Sequence, residues 1–259
     1  MELYDILQSL KLGKISVAKA QKMLSLHSID KIEDYAKLDT GRKQRKGIPE
    51  VVFAENKQPE EIKNIIKKVL IKSDCVLVSR LKKNDYSKIV SFAKKSRLKV
   101  KTGKNSTSVL IYKKDTRKNG GKVGIVTAGT SDIGIAEEAR LMCEAMNCTC
   151  ICSYDIGIAG MHRMFPVLKK LISEDVSSII AVAGMEGALA SLVSSLVNIP
   201  VIGVPTSIGY GYGEKGVAAL ASMLQSCSLG LSVVNIDNGI GAGAIAANIA
   251  NMVEKTRHQ

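Results

Sequence analysis

The chain has 259 residues, 46% of them apolar and 4% aromatic, and a formal charge of +13. That length and apolar content support one large globular domain or a large and a small one. No apolar run reaches the roughly 18 residues of a membrane span, and the amino terminus MELYDILQSLKLGK lacks the basic-then-apolar order of a signal peptide, so a cytoplasmic protein is expected. The charge is segregated: residues 1–122 hold 30 of the 37 Lys and Arg and 13 of the 24 Asp and Glu, a balance of +17 against −4 for the remainder. A basic segment can serve nucleic-acid binding, but here runs such as KNIIKKVLIK fit the solvated face of a helix. With no zinc finger, no RNP-type pattern and few aromatic residues for base stacking, a nucleic-acid partner is not expected.

In chain order, the first half predicts two short helices over about 2–11 and 15–26, then an extended IPEVVFA. QPEEIKNIIKKVL follows as an amphipathic helix, with Pro59 and two glutamates in its first turn. CVLVSR, RLKVK and SVLIYK are strand candidates, which makes residues 1–115 a basic helical and α+β domain. The polar, glycine-bearing KKDTRKNGGK is the linker at about 113–122.

From 122 to 259 the pattern becomes a regular beat. KVGIVTAG, TCICSYDIG, SSIIAVAG, PVIGVP and LSVVNIDNG are apolar runs that end in small residues. Helical stretches stand between or after them: SDIGIAEEARLMCEAM, MHRMFPVLKKLISE, MEGALASLVSSLV, EKGVAALASMLQ and AGAIAANIANMVE. This alternation predicts an α/β fold with a parallel sheet covered by helices on both faces. Ligands in such sheets sit beyond the carboxyl ends of the strands. The charge-poor AGAIAANIANMV also reads as a buried interface between copies.

Two glycine motifs need weighing against that frame. GYGEKG (Gly211, Gly213, Gly216) matches the dinucleotide fingerprint, with Asp237 about 20 residues on. Residues 205–210 separate it from its strand, however, and the fingerprint needs its first glycine at the strand-to-helix turn. GIGAGA (Gly239, Gly241, Gly243) follows a strand but has no further strand after it. A hydride-transferring Rossmann enzyme is therefore disfavoured.

VTAGTSD is more informative, because it sets Thr130, Ser131 and Asp132 where a strand hands over to a helix. Free amides and the helix dipole favour an anion there, although Ser and Asp are equally ordinary N-caps. In IAGMHRMFP, His162 and Arg163 follow a small Ala-Gly step, and a guanidinium suits bidentate phosphate contact. The six cysteines form no CxxC pair or zinc spacing, so reduced thiols are expected. Cys148, Cys150 and Cys152 alternate along one strand face, Cys143 reads as helix face, and Cys227 lies in a loop.

AGTSD, IGIAGMHR, AVAGMEGALASLV and PVIGVPTSIGYG are similar, in order and spacing, to the PurE-like aminoimidazole ribonucleotide carboxylase and mutase domain of purine synthesis. The whole chain more closely resembles the LarB family, the carboxylase/hydrolases of nickel-pincer cofactor biosynthesis. That likeness takes in LDTGRKQRKGIPEVVFAENKQPEEI and SCSLGLSVVNIDNGIGAGAIA and spans roughly residues 35–255. It implies a three-layer, flavodoxin-like or PurE-like catalytic domain over 122–259. In the purine enzymes the loop matching AVAGMEGALAS carries a histidine where this chain has Ala188, with Glu186 nearby, which argues against the purine reaction.

The LarB resemblance implies carboxylation of the pyridinium ring of nicotinic acid adenine dinucleotide by carbon dioxide or bicarbonate. Hydrolysis of the phosphoanhydride then gives pyridinium-3,5-biscarboxylic acid mononucleotide and AMP. A pyridinium ring cannot attack carbon dioxide unless a nucleophile first adds to it, and Cys227, which matches the family's cysteine, is the expected thiolate. Glu186 is expected to take the ring proton, its basicity raised by burial beside Met185 and Ala188. His162 would position carbon dioxide, move a proton or orient the anhydride. Substrate binding falls to Gly129, Ser131, Asp132, Gly160, Arg163, Gly184 and Met185. Magnesium is the expected cofactor, with Asp132, Asp155 and Asp237 as weak ligand candidates. The resemblance also implies a homo-oligomer, an octamer by analogy with the related carboxylases. The alternative function is a phosphoribosylaminoimidazole carboxylase or mutase; a non-enzymatic nucleotide-binding module is a third.

Overall fold

A computed structural model describes residues 3–24, 30–32, 36–38, 46–115 and 120–257. The amino-terminal part of the LDTGRKQRKG motif and the centre of the 113–122 linker lie outside these residues. Helices α1 (Leu3–Lys11) and α2 (Val17–Leu24) open the chain, followed by an antiparallel pair, β1 (Asp30–Ile32) and β2 (Ala36–Leu38).

A four-stranded mixed sheet follows, in the order β3-β4-β6-β5. β3 (Glu50–Phe53) is parallel to β4 (Cys75–Ser79) through helix α3 (Pro59–Lys72). Pro59 presets the first turn of α3, and Glu61 accepts the Gln58 amide at 2.7 Å. Helix α4 (Lys83–Lys95), which the sequence reading did not identify, leads to β5 (Lys99–Thr102), and β6 (Val109–Tyr112) then pairs antiparallel with both β4 and β5.

The second sheet is the expected all-parallel one, five strands in the order β11-β10-β9-β7-β8. Its strands are β7 (Lys122–Thr127), β8 (Thr149–Ser153), β9 (Ser178–Ala183), β10 (Val201–Pro205) and β11 (Leu231–Val233). β9 and β10 are buried at every position, the signature of a sheet covered on both faces. The covering helices are α5 (Ile133–Ala145), α6 (Met164–Ser173), α7 (Ala188–Leu196), α8 (Val217–Leu224) and α9 (Gly239–Arg257). No helix among the described residues is long and apolar enough to cross a membrane.

Three clusters of buried side chains stack these elements into layers. One joins α3 and α4 to the outer face of the small sheet, and another joins α6, α7 and α8 to the far face of the large sheet. The third runs from Val51, Cys75, Leu77, Leu110 and Tyr112 of the small sheet through α5 and α9 to Val123, Ile125, Ile180 and Ile202 of the large one. Helix α5 therefore lies between the two sheets. The charge-poor α9, which the sequence suggested as an interface between copies, packs one face inside the chain against α5 and leaves Ile245 and Met252 exposed on another. The GIGAGA glycines permit this: a Cβ at Gly239 would meet the Ile135 carbonyl at 2.5 Å, and one at Gly243 the Ala139 carbonyl at 2.6 Å. They serve close helix packing rather than phosphate binding.

Charged side chains on a helix between two apolar faces need partners. Arg140 donates to both Glu137 oxygens (3.0 and 2.8 Å), to Glu144 (2.7 Å) and to the Thr102 carbonyl of β5 (3.0 Å). Lys101 adds a 2.7 Å contact to Glu144, and the Lys104 amide and the Tyr154 hydroxyl donate to Glu137. Burial alone would raise the Glu137 and Glu144 pKa values, but hydrogen bonds and charge from Arg140, with Tyr154 or Lys101, hold both below the usual carboxylate range.

Arg140→Ala should therefore destabilise the protein by about 3 kcal/mol at neutral pH, because it leaves two largely buried carboxylates undercompensated. Thermal unfolding should show this as a fall in Tm of roughly 6–12 °C. The stabilisation exists above the usual carboxylate pKa and is lost as pH falls through the lowered folded values, so the gap between variant and wild type should close in acid. A constant gap down to acid unfolding would contradict the assignment.

Candidate active site

The turn after β7 carries the anion-binding features that the sequence suggested. Thr130–Asp132 form a 3₁₀ turn that runs into α5, and Ser131 is exposed on it. Asp132 is not on that surface. It is 3% exposed, and its carboxylate accepts the Gly129 amide at 2.9 Å and the Thr206 hydroxyl at 2.7 Å. Burial pushes its pKa up, while the bonds from Thr206 and from the Gly129 and Gly184 amides oppose the shift. Asp132 thus ties together the loops after β7, β9 and β10 from beneath and positions the turn that Ser131 presents.

The segment after β8 answers the question raised by IAGMHR. Ile158–Arg163 form 3₁₀ turns rather than the start of the helix, which begins at Met164. Gly160 has non-helical angles, and a Cβ there would meet the Arg163 guanidinium at 2.6 Å, so this glycine lets Arg163 fold back over its own turn. Arg163 donates to the Gly160 carbonyl at 3.4 Å and to Asp155 at 2.6 Å. Asp155 therefore orients Arg163. Both side chains are nearly half exposed, which leaves the guanidinium open to a further anion. His162 is exposed beside it.

After β9, Met185 takes a left-handed conformation (φ 54°) and its amide donates to the Ile208 carbonyl at 2.9 Å. Gly184 is buried, whereas Glu186 is exposed and lacks the apolar surroundings expected for it. After β11, Asp237 is also left-handed (φ 55°) and accepts the Ser207 amide at 2.8 Å. GYGEKG forms a 3₁₀ turn at Gly211–Gly216 ahead of α8, separated along the chain from the end of β10 by residues 206–210, and so is not a dinucleotide fingerprint. Asp132, Asp155 and Asp237 each accept hydrogen bonds from different partners, and one Asp237 oxygen takes none among the described residues. Among the described residues no three His, Cys, Asp or Glu side chains form a group that could hold a metal.

The thiols divide sharply. Cys143, Cys148, Cys150 and Cys152 pack in the core layer that includes α5. Hydrogen bonding with Cys150 and burial raise the Cys143 pKa, and burial pushes Cys148 and Cys152 up to about 12. Cys227 alone of the six is exposed. Its loop leads to the amino end of β11 and is strapped to α7 by the Ser228 hydroxyl on the Ser191 carbonyl (2.9 Å) and the Ser194 hydroxyl on the Leu229 carbonyl (3.1 Å). Ser131, Arg163, Met185 and Asp237, by contrast, lie just past the carboxyl ends of the strands. Sequence reasoning missed Thr206 and the Asp155–Arg163 pairing: Thr206 meets Asp132 from a loop 74 residues away, and Asp155 meets Arg163 only because the segment after β8 folds back on itself, so neither has a diagnostic spacing.

Residues 122–259 match the family model for AIR carboxylase, and residues 29–113 match the LarB/PurE-like N-terminal domain. The chain is 46% identical over 257 residues, 98% of each protein, to an uncharacterized protein of Methanocaldococcus jannaschii. It is 31% identical to the N5-carboxyaminoimidazole ribonucleotide mutase of Thermotoga maritima over 133 residues, covering 49% of this chain and 74% of the mutase. It is 29% identical to the phosphoribosylaminoimidazole carboxylase of Candida glabrata over 157 residues, covering 59% of this chain and 26% of that enzyme. Parallel sheet, strand-end loops and matches together define an AIR carboxylase-like domain of the carboxylase and mutase type. The chain belongs to the LarB family, with a PurE-like C-terminal domain.

Arg163→Ala should weaken binding of a ribose phosphate by at least about tenfold, since a charge-assisted contact to phosphate contributes about 1.5–3 kcal/mol. Titration calorimetry measures this directly, and unchanged affinity would remove Arg163 from the site.

Proposed function

We propose that this protein carboxylates the pyridinium ring of nicotinic acid adenine dinucleotide and hydrolyses its phosphoanhydride, releasing pyridinium-3,5-biscarboxylic acid mononucleotide and AMP. The observation that carries the reading is the LarB-type pairing of domains along the chain, which the purine mutase match covers only over 49% of its length. In this reading Ser131 and Arg163 take the ribose phosphate of the nicotinate half, supported by the Gly129, Gly160, Gly184 and Met185 backbone that shapes their turns.

The Cys227 thiolate adds to ring carbon 4, turning the electrophilic pyridinium into an enamine whose carbon 5 attacks carbon dioxide. A base, Glu186 or His162, removes the carbon 5 proton, and expulsion of the thiolate restores the aromatic ring. Water then adds across the anhydride, one phosphate leaving with adenosine and the other with the carboxylated nucleoside. Since Cys227 lies off the strand-end crevice of its own chain, the thiol reaches the ring from a neighbouring copy. Exposed apolar side chains support such an assembly: Leu224 and Leu229 flank Cys227, and Met161, Phe165 and Met185 border the crevice.

Mass analysis after incubation with nicotinic acid adenine dinucleotide, bicarbonate and magnesium should find AMP and a carboxylated mononucleotide, with aminoimidazole ribonucleotide left unchanged. Comparable turnover of the imidazole substrate would replace this reading with the purine one. Cys227→Ser should abolish carboxylation without unfolding the protein, whereas Cys150→Ser should retain it, since a serine hydroxyl supplies no comparable anion at neutral pH. At subsaturating nicotinic acid adenine dinucleotide, mixed assemblies of Cys227→Ser and Arg163→Ala copies should exceed the activity of either variant alone. Absence of recovery would rule out sharing between copies, and carboxylation by Cys227→Ser would rule out the thiolate step.

A further inference from the structure

The two sheets enclose a cleft of about 670 Å³ whose walls come from different parts of the chain. One wall is the strand-end turns of the large sheet, with Ser131, Ser207 and Asp237. The other is the small sheet, with Arg80, Lys82 and Asn105. The volume lies within the range of nucleotide-sized pockets. The cleft abuts the candidate site through Ser131, yet Arg80 and Lys82 belong to the segment outside the AIR carboxylase match.

Arg80 directly follows β4 and adopts a left-handed conformation at φ 56°. The bonds on either side hold it there: the Ser79 carbonyl accepts the Ala54 amide at 2.9 Å, and the Leu81 amide donates to the Thr107 carbonyl at 3.1 Å. A residue with a Cβ is strained in that region, where glycine is not. An arginine at such a position places a permanent cation at the cleft at the expense of backbone strain. Its ion pair with Glu55 is long, 3.5 Å, and both side chains are largely solvated, so the pair competes weakly with a phosphate. Lys82, two residues on, makes no ion pair among the described residues.

The opposite wall is complementary. Ser131 and Ser207 offer hydroxyls. Asp237 uses one oxygen on the Ser207 amide, and its other oxygen takes no hydrogen bond among the described residues. Cations on one wall and an available carboxylate on the other suit a group that is anionic at one end and a hydroxyl donor at the other, as a ribose phosphate is. Bonds to Glu138 hold the walls in register: its carboxylate accepts the Ser79 and Ser108 hydroxyls of the small sheet, each at 2.8 Å, and the Ile240 amide of α9 at 3.2 Å.

We infer that this cleft binds the second nucleotide of the dinucleotide substrate, its adenylate half, with Arg80 and Lys82 on phosphate and Asp237 on a ribose hydroxyl. The basic amino-terminal segment then forms half of the substrate site. The inference rests on the proposed reaction for the identity of the substrate, but not for the existence of the cleft.

The test is calorimetric titration of AMP, adenosine and nicotinic acid mononucleotide into the full-length wild-type protein and the Arg80→Ala/Lys82→Ala variant. The variant should bind AMP at least about tenfold more weakly, as expected for lost charge-assisted contacts. Adenosine, which has no phosphate, and nicotinic acid mononucleotide should each bind both proteins within about twofold. A general structural defect would weaken all three ligands alike, and that result would overturn the inference, as would equal AMP affinity or no AMP binding by the wild type. Should the double variant not fold, Lys82→Ala alone, at an exposed position ahead of α4, should still lower AMP affinity severalfold, and unchanged affinity there counts against the cleft. AMP binding that depends on these cations in a protein unable to carboxylate nicotinic acid adenine dinucleotide would uphold the cleft and refute the proposed reaction.

Discussion

Two neighbouring carboxylates on α5, Glu137 and Glu138, sit in a layer that is otherwise apolar, with a sheet on either side. Leaving either unsatisfied there would cost several kcal/mol. Glu138 is satisfied by hydroxyls from β4 and the loop before β6 together with an α9 amide, and Glu137 by Arg140, Tyr154 and the Lys104 amide. These bonds can form only when the small sheet, α5 and α9 stand in one arrangement. Polar satisfaction therefore sets the register between two bodies whose apolar contact alone would tolerate sliding. Because α5 begins directly after Thr130–Asp132, the same bonds set the position of the candidate phosphate turn relative to Arg80 and Lys82.

The ends of the strands are built from residues under backbone strain. Arg80, Asp155, Met185 and Asp237 each come shortly after a strand and have positive φ without being glycine. The ladders that precede them are hydrogen-bonded, and β4 and β9 are also buried throughout, so the strain is held rather than relaxed. Its effect is to set long or charged side chains at one edge of the molecule. Asp155 shows the gain: its turn brings a carboxylate to Arg163, and a guanidinium already oriented loses less entropy when it meets a phosphate.

Thiol placement links chemistry to assembly. Five cysteines, Cys75, Cys143, Cys148, Cys150 and Cys152, lie in the layer around α5, and one, Cys227, is exposed in a loop on the way into the edge strand β11. That loop is fastened to α7 by serine bonds and flanked by exposed leucines, whereas the crevice lies where the chain leaves the strands. The proposed nucleophile and the proposed phosphate turn thus stand at different ends of the strands, which is why the proposed mechanism draws on a second copy.

The alternation of apolar runs and helices from residue 122 onward was enough, by itself, to determine a parallel sheet, because its central strands β9 and β10 are buried on both faces and read as near-continuous apolar runs in the sequence. The motifs that carry the family likeness were legible for the same reason, each being a continuous stretch. Helix α4 escaped because its KNDYSKIVSFAKK pattern is mostly polar and only Ile89 and Ala93 are fully buried, so its apolar stripe is thin. GYGEKG and GIGAGA misled in the opposite sense, since glycine needed for a turn or for helix packing looks the same in one dimension as glycine needed for phosphate. Only the tertiary structure decided that Asp132 lies beneath the turn rather than on it, that one face of α9 packs against α5, that Cys227 stands apart from Arg163, and that Arg80 faces Ser131 across a cleft. Each of these is a pairing between residues tens of positions apart, and such pairings are set by packing and polar satisfaction, which leave no periodic trace along the chain.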